Sequence, residues 1–276
     1  MMRMPVNTAS NLLGKLGRAI GPRLWLSSRV RENILHVWPD MPKDQIEKIV
    51  LGVWDNFSRV SNDYWNLDRI REEQEDRIEI VGAEHLDALR ASGKSGILFA
   101  GHIGNWEMVT LAARRHELPL TVVYRPFNNP LLDARVRDLQ RGSGVELIMK
   151  GREGARRITQ VLKASGNTIM LVDVRMNDGI KAPFLGVDAM TPSAPAALAL
   201  KYDALLVPVR VERTGPAHFR VTVEEPTPPV NTGDRNADIL ATTTWINDRI
   251  SAWIIDRPDQ WMWFHRRWGK NPKRPD

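Results

Sequence analysis

The chain has 276 residues, enough for one large domain with a sizeable core or for two small ones. Its 39 Lys and Arg against 33 Asp and Glu give a net charge of +6 and a pI of about 9.8, an excess that favours acidic partners. The lack of any Cys excludes disulfides, a thiolate nucleophile and a Cys-built zinc site.

Residues 1–75 read as a helical N-terminal segment. Between Asn11 and Leu26, the residues Leu12, Leu13, Leu16, Ala19 and Ile20 share one helical face, and Lys15, Arg18 and Arg23 supply basic groups. The pattern predicts a short helix lying on a lipid surface or a helix packed on the domain. Lys15 and Arg18 break the apolar stretch, which argues against a signal peptide. No apolar run approaches the roughly 20 residues of a bilayer-spanning helix. After Asp40 and Pro42, the stripe Ile46, Ile49, Val50, Val53, Trp54, Phe57 and Val60 predicts a long amphipathic helix. Glu72 to Asp76 reads as a charged connector.

From Arg77 onward strands alternate with helices. Strands are predicted at 77–81, 96–100, 120–124, 145–149, 168–172, 205–211 and 218–225. Helices are predicted at 83–91, 104–116, 130–141, 153–164, 192–201 and 235–256. Alternation of this kind predicts an α/β fold over 76–268, a mostly parallel sheet flanked by helices. Gly215-Pro216 makes the last two strands an antiparallel hairpin. The tail 269–276, rich in Lys, Arg and Pro, is expected to fray.

The candidate site begins in the run Ile97-Leu-Phe-Ala-Gly-His-Ile-Gly-Asn-Trp-Glu107. An apolar strand stops at Gly101, and His102 stands where the chain leaves the sheet, the edge at which open α/β sheets bind ligands. A His there is suited to taking a proton near neutral pH. Glu107 is expected to orient its ring, and Asn105 to cap the following helix. Arg125 follows strand 120–124, while Asp173 and Arg175 follow strand 168–172, at the same edge. There is no P-loop, no G-x-G-x-x-G, no G-x-S-x-G elbow and no metal-ligand spacing. His265, between Trp-rich and Arg-rich residues, reads as packing.

Gly-His-Ile-Gly-Asn-Trp-Glu107 resembles the signature of the lipid A biosynthesis acyltransferases, within the lysophospholipid acyltransferase superfamily. Further blocks agree in order: Val123-Tyr-Arg-Pro-Phe-Asn-Asn-Pro130, Leu171-Val-Asp-Val-Arg175 with Pro183-Phe-Leu-Gly186, Met190-Thr-Pro-Ser-Ala-Pro195 with Val207-Pro-Val209, and Gln260-Trp-Met-Trp-Phe-His-Arg-Arg-Trp268. The resemblance implies transfer of a fatty acyl chain from acyl carrier protein to a hydroxyl of a lipid A precursor, with no cofactor beyond the carrier thioester. It implies His102 as base and Glu107 as its partner, with Arg125, Arg141, Asp173, Arg175 and Asn105 around the substrate. Val174 departs from the glutamine usual after the third-block acid. Members of the family commonly carry an N-terminal hydrophobic anchor, and here Asn11 to Leu26 stands in its place.

The implied setting is the cytoplasmic face of the bacterial inner membrane, held peripherally through an anionic surface. Ten Trp against three Tyr and six Phe suit a membrane interface. Trp261, Trp263 and Trp268 are expected either on the bilayer or in the core. The same chemistry on a lysophospholipid, an amino-acid lipid or another glycolipid is the nearest rival, followed by a thioesterase that passes the acyl group to water. A nucleic-acid partner is not expected, because no basic cluster or recognisable module is present.

Overall fold

The structure, a computed structural model, describes residues 4–124, 133, 134, 137 and 145–269. Arg125, Arg141, the tail beyond Gly269 and most of the predicted helix 130–141 lie outside these. The chain opens with helices α1 (Val6–Ile20), α2 (Leu26–Val37), α3 (Lys43–Trp65), α4 (Leu67–Glu72) and α5 (Gln74–Arg77). The predicted connector at 72–76 is thus largely helical, and Arg77 pairs with Glu73 one turn back. The predicted stripe of α3 is buried, except that Phe57 stays 39% exposed.

Helix α1 packs on the domain by one face and leaves an apolar stripe exposed on the other. Its inner face, Val6, Ala9, Ser10, Gly14 and Gly17, is built of small residues and lies against α3. A Cβ on Gly17 would sit 2.5 Å from the Trp54 carbonyl oxygen, so only glycine permits this approach. Leu12, Leu16 and Ile20, spaced four apart, form the opposite stripe, each about half exposed.

The remaining elements are β1 (Ile78–Val81), α6 (Ala83–Ala91), β2 (Gly96–Ala100), α7 (Met108–Arg115), β3 (Leu120–Tyr124), β4 (Glu146–Met149), α8 (Arg152–Lys163), β5 (Asn167–Leu171), β6 (Ile180–Phe184), β7 (Val187–Thr191), α9 (Ala194–Tyr202), β8 (Leu205–Gly215), β9 (His218–Val223) and α10 (Arg235–Asp256). The main sheet has the order β1-β9-β8-β2-β5-β3-β4. Every neighbouring pair is parallel except β8 with β9, the expected hairpin. β2 lies at its centre and is buried throughout, as a continuous apolar run in a doubly covered sheet should be. Its side chains alternate between two cores. Ile97 and Phe99 pack with α2, α3, α10 and the C-terminal tryptophans, whereas Leu98 and Ala100 pack with α6 and α7.

The hairpin β6–β7 was not predicted. Its strands meet through Leu185 and Gly186, both at positive φ, a two-residue turn whose twist matches the strands. Trp261 and Trp263 are almost fully buried and pack edge-on at 4.7 Å, so they close the core. Arg267 is buried too, its guanidinium lying over Phe184 and donating to the Met190 carbonyl and to Thr191. No helix among the described residues is long and apolar enough to cross a membrane.

Candidate active site

β2 and β5 run side by side in parallel, with Ala100 opposite Leu171. Carried two residues beyond both strands, that register sets His102 abreast of Asp173. The Asp173 carboxylate does three things there. Oδ1 lies 2.7 Å from His102 Nδ1, and Oδ2 accepts the His102 backbone N–H at 2.7 Å and the Trp261 indole N–H at 2.7 Å. Burial by itself pushes the Asp173 carboxyl up. The His102 ring, Trp261 and the His102 backbone outweigh it and hold the acid well below the usual carboxylate range. An ionised carboxylate can only accept, so Nδ1 carries a proton, and in the neutral ring the lone pair is on Nε2.

Glu107 was expected to orient this ring. The structure gives the Nδ1 contact to Asp173 instead, because sheet register brings a residue 71 positions away closer than a turn brings one five away. Glu107 is buried and accepts the Tyr64 hydroxyl at 2.8 Å. Burial, then the Glu107 charge, raises Tyr64 well above its ordinary range, so it stays a donor. α7 begins at Met108, later than predicted, and Asn105 lies one turn ahead of it. There Asn105 Oδ1 accepts the Glu107 backbone N–H at 3.2 Å, and its amide donates to Asp63 at 3.0 Å.

The loop 101–107 is clamped from three sides. Asp63 on α3 takes Arg213 Nη2 at 2.5 Å, and both residues are buried. Arg213 Nε donates to Asn56, whose amide reaches the carbonyls of Gly104 and Gln260 at 3.0 and 3.1 Å. The Gln260 side chain pairs with both backbone groups of Arg213, and the Met262 N–H donates to the His102 carbonyl at 2.9 Å. Gly104 sits at φ +60°, and a Cβ there would collide with the Val211 carbonyl, so the loop presses directly on β8. Asp63 and Arg213 were not singled out in the sequence, and Gln260 entered only as the first residue of the C-terminal block. The available signal was a charged residue inside an apolar pattern, in α3 and in β8.

Arg175 turns outward, with its guanidinium against Gly269. Trp106 meets the His102 ring edge-on at 4.8 Å, and His265 lies 5.3 Å from it. Burial, then the neighbouring His102, lowers the His265 imidazole below its ordinary range. His102 and Trp106 stand in a narrow crevice lined by Val53, Phe57, Val60, Met262 and Phe264. Met108 and Val109, near in sequence, are core residues. No cluster able to hold a metal ion occurs among the described residues. What the arrangement offers is a ring fixed with one basic nitrogen and a buried carboxylate to balance its charge, beside a tight crevice with mostly apolar walls.

Known proteins resemble this chain along most of its length. The family described as bacterial lipid A biosynthesis acyltransferase matches residues 1–270. A phosphatidylinositol mannoside acyltransferase of Mycolicibacterium smegmatis is 23% identical over 273 residues, covering 96% of this chain and 86% of its own length. The lipid A biosynthesis lauroyltransferase of Escherichia coli is 26% identical over 286 residues, covering 94% and 86%. A lipid A biosynthesis acyltransferase of Haemophilus influenzae is 26% identical over 132 residues, 47% of this chain and 42% of its own.

Proposed function

The chain belongs to the bacterial lipid A biosynthesis acyltransferase family, and we propose that it moves a fatty acyl group from acyl carrier protein to a hydroxyl of a lipid A precursor. The observation that carries the reading is the His102–Asp173 pair at the mouths of β2 and β5, opening on an apolar crevice. In the proposed reaction His102 Nε2 removes the acceptor hydroxyl proton as the oxygen attacks the thioester carbonyl. The tetrahedral intermediate collapses, the C–S bond breaks, and the imidazolium returns its proton to the departing sulfur. Asp173 keeps the ring in the productive tautomer and stabilises its charge through the step. The apolar side chains beside His102 would limit water at the thioester, which favours transfer over hydrolysis. No resident cofactor is required.

Glu107 would then serve the acceptor side of the site, held by Tyr64. Arg125, Arg141 and Arg175 are assigned to phosphate or carboxylate groups of the substrates, which suit a guanidinium fork. The basic surface favours the acidic carrier and an anionic bilayer, with no nucleic acid involved. Leu12, Leu16 and Ile20 on α1 support peripheral attachment at the cytoplasmic face of the inner membrane. A second reading keeps the chemistry and changes the acceptor to another glycolipid, since the relative named for phosphatidylinositol mannosides covers as much of the chain. Mass spectrometry of lipid A from cells with and without the protein decides between them. A difference of one acyl group in lipid A supports the first reading, and an unchanged lipid A with an altered second glycolipid supports the other.

A further inference from the structure

A second pocket, of about 340 Å³, lies between α1, α3, the β8–β9 turn and the segment after α10. Asn56 and Gln260 line both this pocket and the crevice of His102, so the two cavities share a wall. Guanidinium groups reach it from four elements: Arg18 on α1, Arg59 on α3, Arg213 on β8 and Arg257 beyond α10. Most of this charge is already matched. Asp55 takes Arg59 at 2.6 Å, Asp63 takes Arg213 at 2.5 Å, and Asp259 faces Arg257 at 3.6 Å. Arg18 remains, with no carboxylate partner among the described residues. Arg213 is only 7% exposed, and its Nη1 is buried without a hydrogen-bond partner among the described residues. An orphaned buried guanidinium N–H is costly, so Arg213, which lines the pocket, keeps an unused donor.

We propose that this pocket binds a phosphodiester monoanion. The excess of one positive charge matches a single negative one, and guanidinium forks suit phosphate oxygens. Placement supports the assignment. Asn11 and Arg18, seven residues apart, face the pocket from one flank of α1, while Leu12, Leu16 and Ile20 form its exposed apolar stripe. A helix resting on lipid by that stripe sets the pocket at head-group depth. Phospholipid head groups and the arm of a carrier protein both present this chemistry. The placement rests on the acyltransferase reading, but the binding itself does not.

The test is therefore one of binding, without turnover. Soluble glycerophosphoglycerol is titrated calorimetrically into the full chain and into Arg18→Gln, Arg257→Gln and Lys15→Gln. Lys15 is exposed on the same helix and does not line the pocket. Saturable binding is expected for the wild type, weakened about tenfold or more in Arg18→Gln and Arg257→Gln and within about twofold in Lys15→Gln. Flotation with phosphatidylglycerol vesicles then separates the sources: a larger loss for Arg18→Gln than for Lys15→Gln assigns the lipid head group, and equal losses assign a soluble diester. No binding to the wild type, or equal weakening of soluble-diester binding by all three substitutions, overturns the site. Neither failure touches the acyl-transfer reading, which is tested by turnover.

Discussion

Replacing Asp173 with Asn forces a choice on His102. Three N–H groups converge on the native carboxylate, two of them on Oδ2. An amide has one carbonyl oxygen, and the position facing both the His102 backbone and Trp261 is the one where it satisfies most donors. Its NH₂ then faces Nδ1, which must become an acceptor, so the ring proton moves to Nε2 and the base loses its lone pair. Forcing the wrong tautomer in a comparable constellation costs about 10⁴-fold in kcat, and about 10³- to 10⁴-fold is expected here. KM should change little, since the loss falls on the transition state. The lost charge-assisted hydrogen bonds should also lower stability by about 1.5–3 kcal/mol, which thermal denaturation resolves. Initial rates of carrier-thiol release from acyl carrier thioester, with lipid acceptor present, give kcat and KM. A folded Asp173→Asn variant within tenfold of wild-type kcat would refute the argument.

Glu107→Gln is expected to act differently. With Asp173 still holding the ring, the change should raise acceptor KM more than it lowers kcat, and kinetics at varied acceptor concentration would show the reverse if Glu107 orients His102 after all. Stability should fall as pH drops below about 6.5, the ordinary imidazole value, because the folded chain keeps His265 neutral while the unfolded chain takes up the proton. The contribution is present above that pH and lost below it. Denaturant unfolding at pH 7.5 and 5 should give a smaller difference for His265→Gln, and an unchanged difference would contradict the assignment. Attachment through α1 predicts that high salt or carbonate strips much of the protein from membranes, and that Leu12→Ser with Leu16→Ser strips more. A chain that needs detergent for extraction would rule out peripheral binding.

The fold was legible where periodicity is unambiguous. β2 and β3 and helices α6 and α10 fall where alternation and amphipathic spacing put them. The β6–β7 hairpin escaped because Lys181, Pro183 and Asp188 interrupt its apolar pattern and because Leu185 takes a positive φ that the sequence does not announce. In the site, His102 was recognisable from a strand that ends in glycine. Its partner was not, although Asp173 was itself a candidate, because pairing depends on β2 and β5 being neighbours, and strand order is a property of the whole chain. Arg213 and Asp63 were hidden for the same reason: each looks like a stray charge until the other is placed beside it. The tryptophans near the C-terminus suit lipid and core equally by composition, and only packing separates the two.

The central claim is that His102 acts as base while a lipid hydroxyl takes the acyl group directly from the carrier thioester. The most direct measurement is product analysis by mass spectrometry with purified wild type and His102→Ala, given acyl carrier thioester with and without lipid A precursor. The account predicts that the wild type adds one acyl group to the lipid and releases little free fatty acid without it. It predicts that folded His102→Ala loses at least about 10²- to 10⁴-fold of that rate. Free fatty acid formed equally with and without acceptor, or near wild-type transfer by His102→Ala, would contradict it.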